Sequence, residues 1–558
     1  MDAAAASAIV VGGTMAEAGT RSGPTAGVRV GQLPRSWPWV LPLAGRRIDP
    51  SLALSALLAA TATVFIVGFL AAAVFRVTYA YPMWVMESPA LQAVRRILAG
   101  EPLYGPPGLD YVPTLYTPLY FYVAAGFARF LGPSLLTLRL VSLLASLGSA
   151  ALIGHLVWRE SRSRLAALVA AGLIVCSTAL AETSLDLARV DALSLCLILA
   201  ALDVARAADL RTGPRAAWLS LAGGVLIGLA ILTKQTAAVV AVVLAAHTVL
   251  SRRPGAVRLL GFMLGLGLSL GLAALWLVAH YGAWPALYLL ELPRQHALML
   301  SRLDGFWSKQ LLPGFTLPLV ALPVFLFGRL LERDGAAVRF WLLAALGMLG
   351  MAWGASLNQW SGDNVILPAL AILSAGFGLG LAEGRRRLDG PSPALRLFQA
   401  YVLLLGLAQF AIVHYNPRAT SPLRSDVEAG QRTVAAIRAL PGAVYGPEFP
   451  ELLYQAGKGE QAFGLSIGEL EGVFGGRPQP AAALWSDAYA QALDERRFDA
   501  VVLETQGVLP FLADTTRDHG YVDTGPLFPP GDEFYRLDSR YMPSLHVWLP
   551  RERVTAGR

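Results

Sequence analysis

Glu87 is the first acid after the opening apolar stretch of the chain. It stands among Tyr79, Tyr81, Trp84, Tyr104, Tyr111, Tyr116, Tyr120 and Tyr122. Aromatic faces pack against sugar rings, while their polar ends suit a wet boundary. A carboxylate beside an apolar boundary can have its pKa raised and serve as a general base. The plainer role for Glu87 is a charge favoured by the dipole of a helix that follows it. Asp186, Arg189 and Asp191 share the run DLARVD, which either closes a tight turn through ion pairs or lines a site. Lys234 and Gln235 sit in TKQ, directly after an apolar run. An ammonium there can hold a lipid phosphate as a point charge, or simply reach for the interface. Arg294 and His296, in PRQH, suit a phosphate or pyrophosphate, or face solvent. No His, Cys and Asp spacing reads as a zinc site. No phosphate-binding glycine loop stands out, and the 55 glycines are scattered through apolar segments where they let helices pack closely.

These residues need elements to position them, and composition says which kind. The chain has 558 residues, 55% apolar and only 15% charged, against about 25% charged in a soluble domain. The mean hydropathy is +0.52. An ordinary soluble enzyme, a disordered chain and a disulfide scaffold are excluded, and a multi-pass membrane protein remains. The two cysteines, Cys176 and Cys196, lie inside apolar runs and read as small core hydrophobes. The net charge of +7 is divided: residues 418–558 hold 19 acids and 14 bases, so they carry −5 while residues 1–417 carry +12. The split separates a membrane part from a soluble part.

Residues 1–50 lack an apolar run long enough for a signal peptide and read as a disordered cytoplasmic tail. A spanning helix needs roughly 17–25 apolar residues. Eleven runs qualify: 51–75, 140–158, 165–181, 192–202 with its flanks, 216–233, 235–251, 259–290, 310–328, 340–362, 364–382 and 397–417. A twelfth, YVPTLYTPLYFYVAAGFA (111–128), is ambiguous. With eleven spans and the N-terminus inside, the inner loops hold sixteen arginines, whereas the outer loops at 183–190, 233–235, 282–309 and 357–363 hold only Arg189, Lys234, Arg294, Arg302 and Lys309. Making 111–128 a span would put those sixteen outside, against the positive-inside rule. It therefore reads as a helix lying on the outer surface, within an outer loop covering 78–133.

The same parity puts 418–558 outside. There, residues 426–440 look amphipathic, GAVYG (442–446) and DAVVLE (499–504) read as buried strands, and helices fall near 481–496 and 508–518, a compact α/β module. On the outer side of the spans lie Glu87, Asp110, Tyr116, Glu182, Asp186, Arg189, Asp191, Lys234, Gln235, Arg294, His296, Asp304, Lys309, Asn358, Asp363 and Asn364. Ionisable groups at a membrane boundary are costly and mark candidate sites. Contributions from several separate loops point to one site at the outer leaflet.

Several segments then carry a resemblance: Glu87 after the first span, ILAGEPLYG (97–105), YTPLYFYV (116–123), LGPSLLTLRLVS (131–142), LARVDALSL (187–195), ILTKQTA (231–237) and GDNVILPALA (362–371). In their order the chain resembles the GT-C superfamily of polyprenyl-phosphate-dependent membrane glycosyltransferases, whose bacterial members include the lipid A aminoarabinose transferase and the protein O-mannosyltransferases. The resemblance covers roughly residues 50–417. It implies a sugar donor on a polyprenyl phosphate, an acceptor hydroxyl on a glycan, lipid or protein, and inversion at the anomeric carbon. Glu87 would be the base, and Lys234, Arg189 and Arg294 would contact the phosphate or the site. The family acid is usually Asp, and Asp110 and Asp191 are the alternatives to Glu87. Some branches use a divalent metal and others do not, so the cofactor stays open, and no metal ligands are assigned.

The expected fold is thus a GT-C-like bundle of about eleven spans over 51–417 with an extracytoplasmic α/β domain at 418–558, in a bacterial cytoplasmic membrane. Membrane lipids are expected partners and nucleic acid is not. Two other readings share parts of this layout. A lipid or solute transporter with an outer receptor domain should show inverted repeats and charge near the membrane midplane, and this chain shows neither. A ligase moving a preassembled glycan would use the same outer site.

Overall fold

The computed structural model describes residues 50–251, 255–390, 392–504, 507, 509–528 and 545–556, with 42–43 and 46–47. Met1–Pro50 and Ser51–Arg558 are separate units. In the first, Pro42–Leu43 pairs antiparallel with Arg46–Arg47, and the rest of the expected tail lies outside the described residues.

All eleven apolar runs carry helices. They are α1 (Pro50–Val77), α4 (Leu135–Ser161), α5 (Arg164–Cys176) extended by a 3₁₀ turn at Ser177–Ala181, α6 (Val190–Asp209), α7 (Pro214–Thr233), α8 (Ala238–Val249), α9 (Gly255–Tyr281), α10 (Arg302–Leu331), α11 (Gly335–Ser356), α12 (Leu367–Arg387) and α13 (Pro393–Val413). Among the described residues, nine helices are long and apolar enough to cross a membrane. The other two runs fall short for visible reasons. Asp191, Asp203, Arg206 and Asp209 lie on α6, and the apolar helix through α8, Gln235–Val249, is short.

Two further helices sit between α1 and α4: α2 (Glu87–Ala99) and α3 (Leu119–Leu131). The ambiguous run becomes α3. Its 13 residues extend about 20 Å, too short for a hydrocarbon core of about 30 Å. Pro113 and Pro118 keep the preceding backbone out of helix, so it starts late.

Burial sorts the bundle. The spanning window of α12 is 94% buried and that of α9 only 17%, so α12 is the central post and α9 presents its surface outward. Helices α7 and α9 meet backbone to backbone: a Cβ at Gly224 would meet the Phe262 carbonyl, and one at Gly265 the Leu221 carbonyl. Small residues permit this approach in membrane helices.

The two ends of the bundle differ in chemistry. One collects arginine pairs: Arg206 with Glu160 (2.5 Å), Arg159 with Asp203 (3.1 Å) and Arg258 with Asp209 (2.8 Å). Arg387 also reaches the Gly328 carbonyl at 2.7 Å there. The other end carries α2, α3 and the C-terminal residues.

Those C-terminal residues form α14 (Arg424–Ala439), β1 (Val444–Tyr445), α15 (Pro450–Gln455), α16 (Gly464–Leu470), α17 (Ala482–Asp494), β2 (Ala500–Glu504), α18 (Pro510–Asp518), β3 (Tyr521–Pro526) and β4 (Leu545–Pro550). The sheet order is β1-β2-β4-β3. β1 and β2 run parallel, and β4 is antiparallel to both neighbours. This part is fused to the first loop rather than tethered. Ala462 N–H donates to the Leu109 carbonyl (2.9 Å), Arg95 on α2 pairs with Glu451 (2.7 Å), and the Tyr81 ring lies against Gly430. Tyr445, Trp485 and Tyr489 share one buried apolar cluster with Leu91, Tyr104 and Tyr120.

Candidate active site

Glu87 opens α2 and is fully buried, as is Arg139 in the second turn of α4. Arg139 Nε donates to Glu87 Oε1 (2.8 Å) and Nη2 to Oε2 (2.6 Å). The Ala188 N–H adds a bond to Oε1 (2.8 Å) and the Met83 N–H one to Oε2 (2.7 Å). The same guanidinium donates to the carbonyls of Arg76 (3.0 Å), Tyr79 (2.5 Å) and Tyr81 (2.7 Å). Burial pushes the Glu87 carboxyl up, but Arg139 and the two backbone donors outweigh it and hold the pKa below the ordinary value. Every lone pair of this carboxylate is committed to holding the loop after α1 against α4 and the turn before α6.

That turn is pinned from a second side. Arg76 Nε donates to Asp186 (2.8 Å), and its other nitrogens reach Thr183 Oγ1 (2.9 Å) and the Thr420 carbonyl (2.6 Å). Beyond the turn, Arg189 Nε donates to Asp191 Oδ2 (3.1 Å). Asp191 Oδ1 accepts from Lys234 Nζ (2.6 Å) and from Asn364 Nδ2 (2.8 Å). Asp191 thus joins the starts of α6 and α12 to the end of α7. The first loop is laid on the same spot: Gln235 donates to the Leu115 carbonyl (2.6 Å) and Thr117 to the Ile231 carbonyl (3.0 Å). The half-buried Tyr116 lies between them, its carbonyl held by Tyr104 (2.7 Å).

The Arg189–Asp191 pair separates two hollows. Asp191, Lys234, Thr236 and Asn364 give one of them a polar head, above walls of Leu195, Ile198, Met351 and Pro368. Arg189 lines the other with Thr114, Tyr116, Phe121 and Met86. The Arg189 guanidinium lies 4.9 Å from the centre of the Trp84 ring. Two buried donors, Trp84 Nε1 and Thr236 Oγ1, lack a partner among the described residues. Such orphans are costly unless a ligand or water meets them. The arrangement therefore sets two cations and an unspent Thr236 hydroxyl beside two small hollows, with the Trp84 ring behind Arg189, chemistry that suits an anionic, hydroxyl-bearing ligand.

Of the residues singled out in the sequence, Tyr116, Arg189, Asp191, Lys234, Gln235 and Asn364 come together. Glu87 and Asp186 lie beneath them as buried partners of Arg139 and Arg76. Three stand elsewhere. Asp110 is largely exposed, with Arg96 at 3.6 Å. Arg294 is exposed. His296 bonds Glu469 on α16 (2.6 Å) and Asn358 (2.9 Å), at the junction with the C-terminal part.

One residue of this end, Arg139, escaped the sequence reading, and Glu182, placed on the outer face by sequence, gains a defined setting. Arg139 is the lone charge in LGPSLLTLRLVS, and an intramembrane arginine is itself a signal. Glu182, just after α5, bonds the Asp363 N–H (2.8 Å). Its φ of 54° and the 53° of Thr183 are consecutive left-handed conformations for non-glycine residues. As for a metal, the carboxylates here are paired with Arg or Lys rather than converging. Among the described residues no three His, Cys, Asp or Glu side chains could hold an ion, so the residues present do not fit one and no step is drawn through it.

In overall architecture the chain is similar to ArnT from Cupriavidus metallidurans, with TM-score 0.56, 13% identity, and 89% of this chain and 98% of that one covered. The form of that protein bound to undecaprenyl phosphate gives TM-score 0.55, 12% identity, and 88% and 98% covered. The Archaeoglobus fulgidus oligosaccharyltransferase in complex with Zn and sulfate gives TM-score 0.51, 13% identity, and 84% and 72% covered. This chain has the GT-C fold. Within that GT-C fold, residues 113–280, from just before α3 to the end of α9, match the dolichyl-phosphate-mannose-protein mannosyltransferase family. No curated protein matches the sequence.

Proposed function

We propose that this chain is a membrane glycosyltransferase that moves a sugar from a polyprenyl-phosphate donor to an acceptor hydroxyl, with inversion, at the outer face of the bacterial cytoplasmic membrane. The observation that carries the reading is the Arg189–Asp191–Lys234–Asn364 cluster between two hollows, at the aromatic end of a GT-C fold. The family match over 113–280 supports it. The bundle over 51–417 carries the chemistry, and 418–558 forms the extracytoplasmic part that faces the acceptor, be it glycan, lipid or protein. The fourteen described arginines of the loops at the opposite end support the orientation.

In this reading Arg189 and Lys234 hold the donor phosphate. The acceptor oxygen attacks the anomeric carbon as its bond to the phosphate oxygen breaks, and the electron pair leaves with the lipid phosphate. Fixed cations aimed at that developing charge lower the barrier without reorganising. Asp191 keeps both cations in place, since each bonds a different oxygen of it. Trp84 and Tyr116 supply faces for the sugar. Glu87 acts from below: joined to Arg139, it fixes the loop that carries these aromatics.

The test is transfer from a panel of radiolabelled polyprenyl-phosphate sugars in nanodiscs, comparing wild type with Lys234→Met. Turnover with one donor, lost in the variant, supports the reading. Full turnover in Lys234→Met removes the phosphate site from this cluster.

A further inference from the structure

We propose that Glu182 is the group that takes the proton from the acceptor hydroxyl, an assignment that rests on the glycosyltransferase reading above. The acids at this end of the bundle are otherwise spent or remote. Glu87 accepts four hydrogen bonds, Asp191 three, and Asp186 is 2% exposed against Arg76. Asp110 and Asp304 lie on the exposed surface, and Asp363 faces outward to Gln310 (2.9 Å).

Glu182 differs in each respect. Its side chain is 20% exposed. Oε1 accepts the Asp363 N–H at 2.8 Å, but Oε2 has only Arg189 Nη1 at 3.5 Å, the outer limit of a hydrogen bond. One oxygen is therefore open to a proton. The carboxylate also borders the cluster. It leans on Gly362, where an added Cβ would lie 2.8 Å from Oε1, next to Asn364 of the first hollow. The paired left-handed residues Glu182 and Thr183 hold a backbone conformation unfavourable for non-glycine residues, and strain of this kind concentrates at functional sites. Arg76 clamps Thr183 in that shape. The charged groups facing Glu182 are Arg189, Asp363 and Asp191, and burial raises its pKa above the ordinary value despite the Asp363 N–H and Arg189. A base near neutrality works best with such a lift.

Charge balance favours the same residue. Arg189 and Lys234 are matched by Asp191 and Glu182, so the empty cluster is neutral. A donor phosphodiester adds one negative charge. Its cleavage leaves a phosphate monoester, whose charge at neutral pH is about −1.5 to −2. A proton that moves from the acceptor oxygen to Glu182 as the glycosidic bond forms offsets that increase within the cluster. A remote base would leave the site more negative as the phosphate departs.

The test uses the full chain in nanodiscs with a polyprenyl-phosphate sugar donor that the wild type turns over. Glu182→Gln is expected to lower kcat by about 10²–10⁴-fold, to keep donor affinity within a few-fold, and to abolish the acidic limb of the pH profile. Glu182→Asp should retain measurable turnover with a displaced limb. If Glu182→Gln does not fold, the Asp variant decides: an unchanged limb overturns the assignment. Glu182→Gln with kcat within about threefold of wild type also overturns it, while wild-type transfer keeps the glycosyltransferase reading intact. A wild type that neither binds nor turns over any donor sinks that reading instead.

Discussion

Replacing Glu87 by Gln should unfold the first loop before it affects chemistry. The four donors around the carboxylate divide into two pairs: Arg139 Nε with the Ala188 N–H on Oε1, and Arg139 Nη2 with the Met83 N–H on Oε2. A glutamine has one carbonyl oxygen and one NH2 group. Whichever way the amide turns, its NH2 meets two donors, and Arg139 is left as a buried charge without a counter-ion. Breaking a buried pair from one side costs about 3–5 kcal/mol. Arg139→Met should cost as much, because the carbonyls of Arg76, Tyr79 and Tyr81 lose their donor as well. The double variant Glu87→Met, Arg139→Met should recover only part of the loss, since those carbonyls stay unpaired. Thermal unfolding in detergent, followed by tryptophan emission, reads all three. A Glu87→Gln protein that melts with the wild type and yet transfers no sugar would refute this reasoning and make Glu87 the base.

Three further outcomes follow from the geometry. Lys234→Arg should recover little of the activity lost in Lys234→Met, because a planar guanidinium cannot replace the ammonium that meets Asp191 at 2.6 Å; kcat/KM of the two variants decides. For His296, burial lowers the pKa but the Glu469 carboxylate and Asn358 raise it further, to a net value above the ordinary one. The pair therefore contributes stability that is whole below about pH 6.5 and fades as pH rises through the raised folded value. Melting curves across that range should show this loss in wild type and not in Glu469→Gln. Gly265→Val should destabilise by at least about 1–3 kcal/mol, because its side chain would meet the Leu221 carbonyl where α7 and α9 touch; SDS titration of the unfolding reads it.

Much of the fold was legible because membrane helices announce themselves by length and charge. Each apolar run carries a helix, and the arginine count argues against 111–128 as a span, in keeping with the 13 residues of its helix. The strands at 444–445 and 500–504 were readable from Val-rich runs. Those at 521–526 and 545–550 were not, because a proline ends each and interrupts the alternating pattern. The site was legible in composition but not in pairing. DLARVD, TKQ and the start of α12 converge through Asp191, a meeting set by helix packing that no local pattern encodes. Arg139 was hidden by its place at a helix start, where a charge seems cheap, although it is fully buried there. His296 fell among phosphate candidates because its partner Glu469 lies 173 residues away.

The measurement that bears most directly on the central claim is release of polyprenyl phosphate from a labelled donor by the wild type in nanodiscs, with the acceptor supplied as a cell-envelope extract. The account predicts lipid phosphate and glycosylated product in equal amounts, with the label inverted at the anomeric carbon. Donor that stays intact in every pairing, or crosses the bilayer unchanged in reconstituted vesicles, would contradict it and favour a transporter.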